Sequence, residues 1–447
     1  MSASSKLDHL KSVYGHDRFR EGQEDVIDHV LSGGSALSVL PTGSGKSLLY
    51  QFPATYTDKP SLVVSPLLAL INDQCLQLER KDIVCDRLCG DSTKCKGEGK
   101  GCECAYCRIV EQRDAPTIVF ATPEWLVKRR EKAHRMSEFL CLFAVDEAHC
   151  VSKWSRSFRT AYLNLGDVTQ TLSCPILILT ATAPPAVRID ISRILRVDNL
   201  QEFLLSPVRT NLSVSVRHLD EWDRRGRQVP EGSGIIVYVW RKQDAEDLCR
   251  HLIDDGRKAR FFHAGLPKRE KATVQQMFLD NEIDIVVATI AFGMGIDKPD
   301  VRHVINACTP ADMESFYQQI GRAGRDGLPA SAVTYWSSGD AKRIEYLIRT
   351  TPTDQEMQMR QFGDLENMKE FLSNKTICRR TMVSEYFATG RCSNPRTPFE
   401  DTARCGTCDN CLRKKSSPNH SGTSRPRKMS KRDKINKQWG EFDARWR

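Results

Sequence analysis

No stretch of this 447-residue chain approaches the roughly 20 consecutive apolar residues that a membrane-spanning helix needs. The opening residues, MSASSKLDHLKSVYG, also lack the apolar core of a secretory signal. Membrane insertion and export are thus disfavoured, and a soluble intracellular protein is expected. That expectation governs how the 17 cysteines are read. In a small exported chain they would suggest disulfides, whereas here they suggest core thiols and metal ligands.

An excess of one charge is missing from most of the chain as well. The formal net charge is +9, but the last 35 residues alone hold 12 Lys and Arg against 3 Asp and Glu, leaving 54 residues of each sign elsewhere. This tail is rich in Ser, Pro and Lys and has little apolar periodicity, so it is expected to be disordered. Its basic clusters suit phosphate binding or a nuclear address, and equally a solvated tail that keeps the protein soluble.

Short apolar runs rich in β-branched residues alternate with helical patterns, which predicts an α/β protein with parallel sheets. The first set begins at Ala36, Ser61, Thr117, Leu142 and Ile176, the second at Gly234, Ala259, Asp284, His303 and Ser331. At this length more than one core is expected. We read an ATP-binding lobe over 1–205, a second lobe over 206–349, a small helical Cys-rich domain over 350–412 and the basic tail over 413–447.

The run from Ala36 leads straight into PTGSGKSLLYQ, Pro41 to Gln51. A strand, a glycine loop and a helix start together surround a phosphate with backbone N–H groups. Gly43 and Gly45 let the backbone approach, with Thr42 and Ser44 completing the cradle, Lys46 reaching phosphate oxygens and Ser47 suited to Mg²⁺. The loop departs from the full pattern, which has glycine where this chain has Leu40. The run from Leu142 ends in Asp146-Glu147-Ala148-His149. Acids at the C-terminal end of a parallel strand lie at the ligand crevice, so Asp146 suits Mg²⁺ and Glu147 suits activation of the attacking water. Either acid alone would more often be a surface group, but in this order behind the glycine loop the pair points to ATP hydrolysis.

The ordered motifs resemble superfamily 2 helicases and, within them, the RecQ family. The likeness runs from Phe19-Arg20-Glu21-Gly22-Gln23 through the glycine loop, VVSPLLALINDQ from Val63, ATPE from Ala121 and DEAHC from Asp146. It continues through Thr180-Ala181-Thr182-Ala183, HAGL from His263 and ATIAFGMGIDKPDVRHVIN from Ala288, to GRAGRDG from Gly321. The resemblance implies two RecA-like lobes that close on ATP and open after hydrolysis. It implies that Gln23, with Arg20 nearby, reads adenine, that Gly293, Gly295 and Asp297 couple the second lobe to nucleotide and strand, and that Arg322 and Arg325 are arginine fingers. It also implies 3′ to 5′ unwinding of single-stranded and structured DNA in repair, recombination and replication, with replication, repair or transcription proteins as candidate partners; a nuclear location is expected for a eukaryotic source, at which the basic tail hints.

Just past the acids, CVSKWSRSFRTAYLNL places Trp154, Phe158 and Tyr162 at a spacing of four, interleaved with Arg156 and Arg159. Aromatic faces stack on bases of a single strand, and arginine adds phosphate or cation–π contacts. The same spacing also describes the buried side of a helix. Adjacency to Glu147 favours strand binding, although the family's Gln-Trp-Gly-His stands here as Lys153-Trp154-Ser155-Arg156.

Cys405, Cys408 and Cys411 form C-x₂-C-x₂-C, a strong signal for structural zinc that needs a fourth, upstream thiolate. Cys392 competes for that place, but the Cys-Arg-Arg context favours Cys378, and the family resemblance implies a Cys₄ zinc domain here. A second group, Cys89, Cys95, Cys102, Cys104 and Cys107, reads equally as a local metal site or as a loop with free thiols. Because the chain stops soon after the zinc domain, it resembles the short Q5-type members, without winged-helix and HRDC modules. An RNA helicase and a non-catalytic scaffold for nucleic acid or the transcription machinery are the competing readings.

Overall fold

The computed structural model describes residues 5–90, 102, 104–112, 114–152, 160–223, 226–292, 298–392 and 404–413. The basic tail lies, from residue 414 onward, outside the described residues. Met1–Leu412 forms one compact unit. No helix among the described residues is long and apolar enough to cross a membrane.

Two parallel sheets organise that unit. The first contains β1 (Ala36–Val39), β2 (Ser61–Val64), β3 (Cys85–Leu88), β4 (Ile118–Ala121), β5 (Leu142–Val145), β6 (Ile176–Thr180) and β7 (Gln201–Leu204), in the order β3-β4-β2-β5-β6-β1-β7. The second contains β8 (Leu212–His218), β9 (Ile235–Tyr238), β10 (Ala259–Phe262), β11 (Ile285–Ala288), β12 (His303–Asn306) and β13 (Ala330–Trp336), in the order β10-β11-β9-β12-β13-β8. β1, β2, β4, β5 and β6 are buried at every position. Burial on both faces is why these strands read as unbroken apolar runs rather than alternating ones. Helices on either side complete separate apolar layers, one containing Leu37, Val119 and Phe143 and the other Leu49, Phe52 and Leu177.

The C-terminal helices do not build a core of their own. Phe371, Met382, Tyr386 and Phe387 share an apolar cluster with Phe316, Tyr317 and Ile320 of the second lobe. The Phe316 and Phe371 rings lie 4.9 Å apart, and those of Tyr317 and Phe387 5.0 Å. Beyond this shared core the four sulfurs of Cys378, Cys405, Cys408 and Cys411 form a small cluster. So few residues bury little apolar surface, so sulfur ligation must supply what packing does not.

Candidate nucleotide cleft and zinc site

The loop after β1 turns through two left-handed glycines, Gly43 at φ 82° and Gly45 at φ 79°. A side chain at 45 would be strained by that conformation and would also place its Cβ 2.8 Å from Gln23 Nε2. Gln23 is the loop's brace. Its Nε2 donates to the carbonyls of Ser44 at 2.9 Å and Gly45 at 3.1 Å, while its Oε1 accepts from the Arg20 backbone N–H at 2.8 Å. Arg20 Nη1 donates to the Gly43 carbonyl. The amide expected to read adenine is therefore committed to the loop, and those bonds must be exchanged before it can pair with a base. Lys46 Nζ donates to the carbonyls of Leu40 at 3.2 Å and Pro41 at 3.4 Å.

Glu147 takes φ 50°, uncommon for a residue with a side chain, and turns the chain from β5 into the short 3₁₀ turn Ala148–Val151. Asp146 accepts from the Glu147 backbone N–H at 2.9 Å. Burial, with the Glu147 carboxylate beside it, pushes the Asp146 carboxyl up to about 7, partly offset by Lys46. An acid so poised favours a cation at its side.

Across the cleft, the helix Met313–Ile320 ends at Gly321 and delivers Arg322 and Arg325. Arg20, Gln23, Lys46, Asp146 and Glu147 from one lobe and Gln318, Arg322 and Arg325 from the other line a single open cleft of about 1080 Å³. Burial lowers the pKa of the Arg322 guanidinium, while Tyr238 and Glu147 oppose this. Thr42 Oγ1 donates to the Gly321 carbonyl at 3.1 Å, and a Cβ at 321 would fall 2.4 Å from that hydroxyl. Glycine is needed at 321 because the lobes touch there.

The contacts that sequence reasoning missed are those that join motifs. His149 is buried, and burial lowers its pKa, opposed by Glu147. Gln318 Nε2, which can only donate, lies 3.4 Å from His149 Nε2. The proton therefore sits on His149 Nδ1, 3.3 Å from Glu147 Oε2 and 3.2 Å from Thr180 Oγ1. Arg209 Nη1 donates to the Gly321 carbonyl at 3.1 Å, and Asn211 Nδ2 donates to that of Gly324 at 2.8 Å. Gln318 stands inside the QQIGRAGR run, a signal that could have nominated it, whereas Arg209 carries no motif.

One expectation needs correction. Tyr162, taken as a base-stacking ring, is fully buried in the first lobe's core, on the short helix Thr160–Leu163. A ring with no exposed face cannot stack on a base, so at this position the amphipathic-helix reading prevails. Trp154, Arg156, Phe158 and Arg159, and with them Gly293, Gly295 and Asp297, lie outside the described residues.

The four predicted zinc ligands do converge. The sulfurs of Cys378, Cys405, Cys408 and Cys411 all lie within 4.8 Å of one another, with Cys378 to Cys408 and Cys405 to Cys411 at 3.9 Å. Sulfurs tetrahedrally placed about 2.3 Å from zinc stand about 3.8 Å apart, so this set fits the ion. The Cys408 backbone N–H donates to Cys405 Sγ at 3.3 Å and that of Arg379 to Cys408 Sγ at 3.5 Å, contacts that favour thiolates. Arg379, itself buried, clamps Asp409 at 2.9 and 3.0 Å beside them. Cys392, the rival ligand, is buried in the core shared with the second lobe.

A glycine loop and paired acids on one parallel α/β lobe, facing two arginines on another, define the two-lobed arrangement of the helicase class. Family models agree in chain order: DEAD/DEAH box helicase over residues 20–189, helicase conserved C-terminal domain over 218–327 and RecQ zinc-binding over 338–412. The ATP-dependent DNA helicase RecQ of Haemophilus influenzae is 36% identical over 90% of this chain and 63% of its own length. A protein of Acanthamoeba polyphaga mimivirus, named as an ATP-dependent RNA helicase, is 35% identical over 90% of this chain and 71% of its own. Among solved structures, the helicase MrfA bound to DNA and AMPPNP superimposes with a TM-score of 0.60 at 18% identity, covering 81% of this chain and 56% of that one, a likeness of fold. The chain belongs to the RecQ family of helicases. It spans rather less than two thirds of the length of the bacterial relative.

Proposed function

We propose that this protein couples ATP hydrolysis to movement along one DNA strand and separation of the duplex ahead. The observation that carries the reading is the shared cleft, in which Lys46, Asp146 and Glu147 face Arg322 and Arg325. In it Lys46 would exchange the carbonyls of Leu40 and Pro41 for phosphate oxygens, and Ser47 and Asp146 would hold Mg²⁺ between them. Glu147 would take the proton of the attacking water, with His149 Nδ1–H fixing the carboxylate's orientation, and the two guanidinium groups would offset charge growing on the phosphoryl oxygens. Release of product would loosen the Thr42–Gly321 contact and part the lobes.

Relatives named for DNA and a Cys₄ domain of RecQ type favour DNA over RNA as the track. The direction, 3′ to 5′, service in repair, recombination and replication, and a nuclear location belong to the same proposal. The test compares ATP hydrolysis with single-stranded DNA and RNA, then unwinding of 3′- and 5′-tailed duplexes, by wild type and Lys46→Ala. Strand-stimulated hydrolysis and 3′-tailed unwinding should fall at least a hundredfold in the variant while strand binding persists. Equal unwinding by both proteins would overturn the role given to Lys46, and preferential stimulation by RNA would turn the assignment to an RNA motor.

A further inference from the structure

A second group of cysteines converges outside both sites. Cys102, Cys104 and Cys107, in the first lobe ahead of β4, have their sulfurs within 4.8 Å of one another. We propose that they form a second thiolate metal site of zinc type, separate from the Cys₄ cluster.

The distances suit an ion better than the alternatives. Cys102 Sγ and Cys104 Sγ are 3.3 Å apart, far beyond the roughly 2.05 Å of a disulfide bond. A tetrahedral zinc would set each pair at about 3.8 Å, so shifts of an ångström or less convert the triad into a ligand set. The same 4.8 Å limit holds for the four sulfurs of the zinc domain. Thiolate ligands select zinc or a softer ion over Mg²⁺ or Ca²⁺, which prefer oxygen.

The helix that carries Cys107 is packed into the core. Cys107 is 2% exposed on the helix Ala105–Val110, whose Ala105, Tyr106 and Ile109 are buried in the first lobe's core. Tyr106 is held from the neighbouring helix Arg130–Ser137, with Lys132 Nζ 4.5 Å from its ring centre and Arg135 Nη1 donating to its hydroxyl at 3.4 Å. Cys102 and Cys104 are half-buried against the same core. One sulfur thus forms a fixed floor, and two stand at a rim that solvent reaches. Binding Zn²⁺ there releases three thiol protons to solvent and leaves a net charge of −1 on the ZnS₃ unit. The remaining tetrahedral position falls to a ligand from outside the triad. Cys89 does not join the group, packing instead against the core on the other face of the sheet, and Cys95 lies outside the described residues. Such an ion would pin the chain to the first lobe just before it enters β4.

The test is zinc content per chain, measured by atomic emission on the full-length protein after dialysis against metal-free buffer containing reductant. Wild type should retain two equivalents, and Cys102→Ser and Cys104→Ser, both at half-buried positions that tolerate the change, should each retain one. One equivalent in wild type and both variants would overturn the proposal. So would two equivalents in every protein, or a Cys102–Cys104 disulfide found by mass spectrometry after purification under reducing conditions.

Discussion

Thr42 and Gly321 meet across 279 positions of sequence through one hydrogen bond, whereas Cys378 and Cys408 come together across 30. The cleft is assembled from two lobes that touch through polar contacts near 3 Å, many of which can be exchanged for ligand oxygens. The sulfur cluster is closed on itself, with backbone N–H groups and an ion pair of buried Arg379 with Asp409 bracing the ligands. The contrast separates a site made to change partners from one made to keep them. Polar groups that satisfy each other in one arrangement can be re-satisfied in another, while thiolates on a shared ion lose their partner altogether when one is removed.

Substitution at the cleft should therefore abolish turnover and spare the fold. Arg322→Ala should lower kcat for strand-stimulated ATP hydrolysis by about a thousandfold, the scale of a lost arginine finger, with KM changed only a few-fold. Steady-state kinetics check this, and a loss under tenfold would mean that the second lobe contributes little to the chemistry. Substitution at the cluster should do the reverse. Cys408→Ser should release that site's zinc, lower Tm by several degrees and open residues 338–412 to protease, while ATP hydrolysis falls less than tenfold. Limited proteolysis with metal analysis measures it, and a stable, zinc-loaded variant would break the contrast.

The smallest effect concerns Asp146. Its carboxyl titrates near 7 in the folded protein against an ordinary value of 3.8, because burial penalises the charge. From roughly pH 4 to 7 the unfolded chain ionises this group while the folded one keeps its proton, so stability falls as pH rises through that window. Asp146→Asn should melt a few degrees above wild type at about pH 8, and the gain should shrink steadily as pH is lowered toward about 4. Scanning fluorimetry across that range reads it, and a pH-independent difference would show that the burial penalty is not its source.

The strands buried on both faces were legible as apolar runs, and the motif loops as local patterns of glycine, acid and arginine. Three strands were not. β3 reads Cys-Asp-Arg-Leu and β7 Gln-Glu-Phe-Leu, polar stretches at the sheet's two edges, and β8 alternates buried and half-buried positions at the edge of the other. An edge strand needs few apolar residues, so composition gives little sign of it. Within the site, Lys46, Asp146, Glu147, Arg322 and Arg325 were nominated locally, and the structure brings them into one cleft. The link from His149 to Gln318 depends on how two lobes pack, and that from Arg209 to Gly321 on the folding of the second lobe upon itself, neither of which local spacing encodes. Tyr162 misled because period-four aromatics serve a core and a base stack equally well.

The helix Met313–Ile320 carries a further implication. It ends at Gly321, just before Arg322, and its Phe316 and Tyr317 are wedged against Phe371 and Phe387 of the zinc-binding domain. Arg188 of the first lobe reaches the Phe387 carbonyl at 3.5 Å, at the long end of hydrogen-bond distance. Any turn of the second lobe that withdraws Arg322 must swing the sulfur-bound helices with it, like a crank fixed to its shaft, and that long contact is placed to give first.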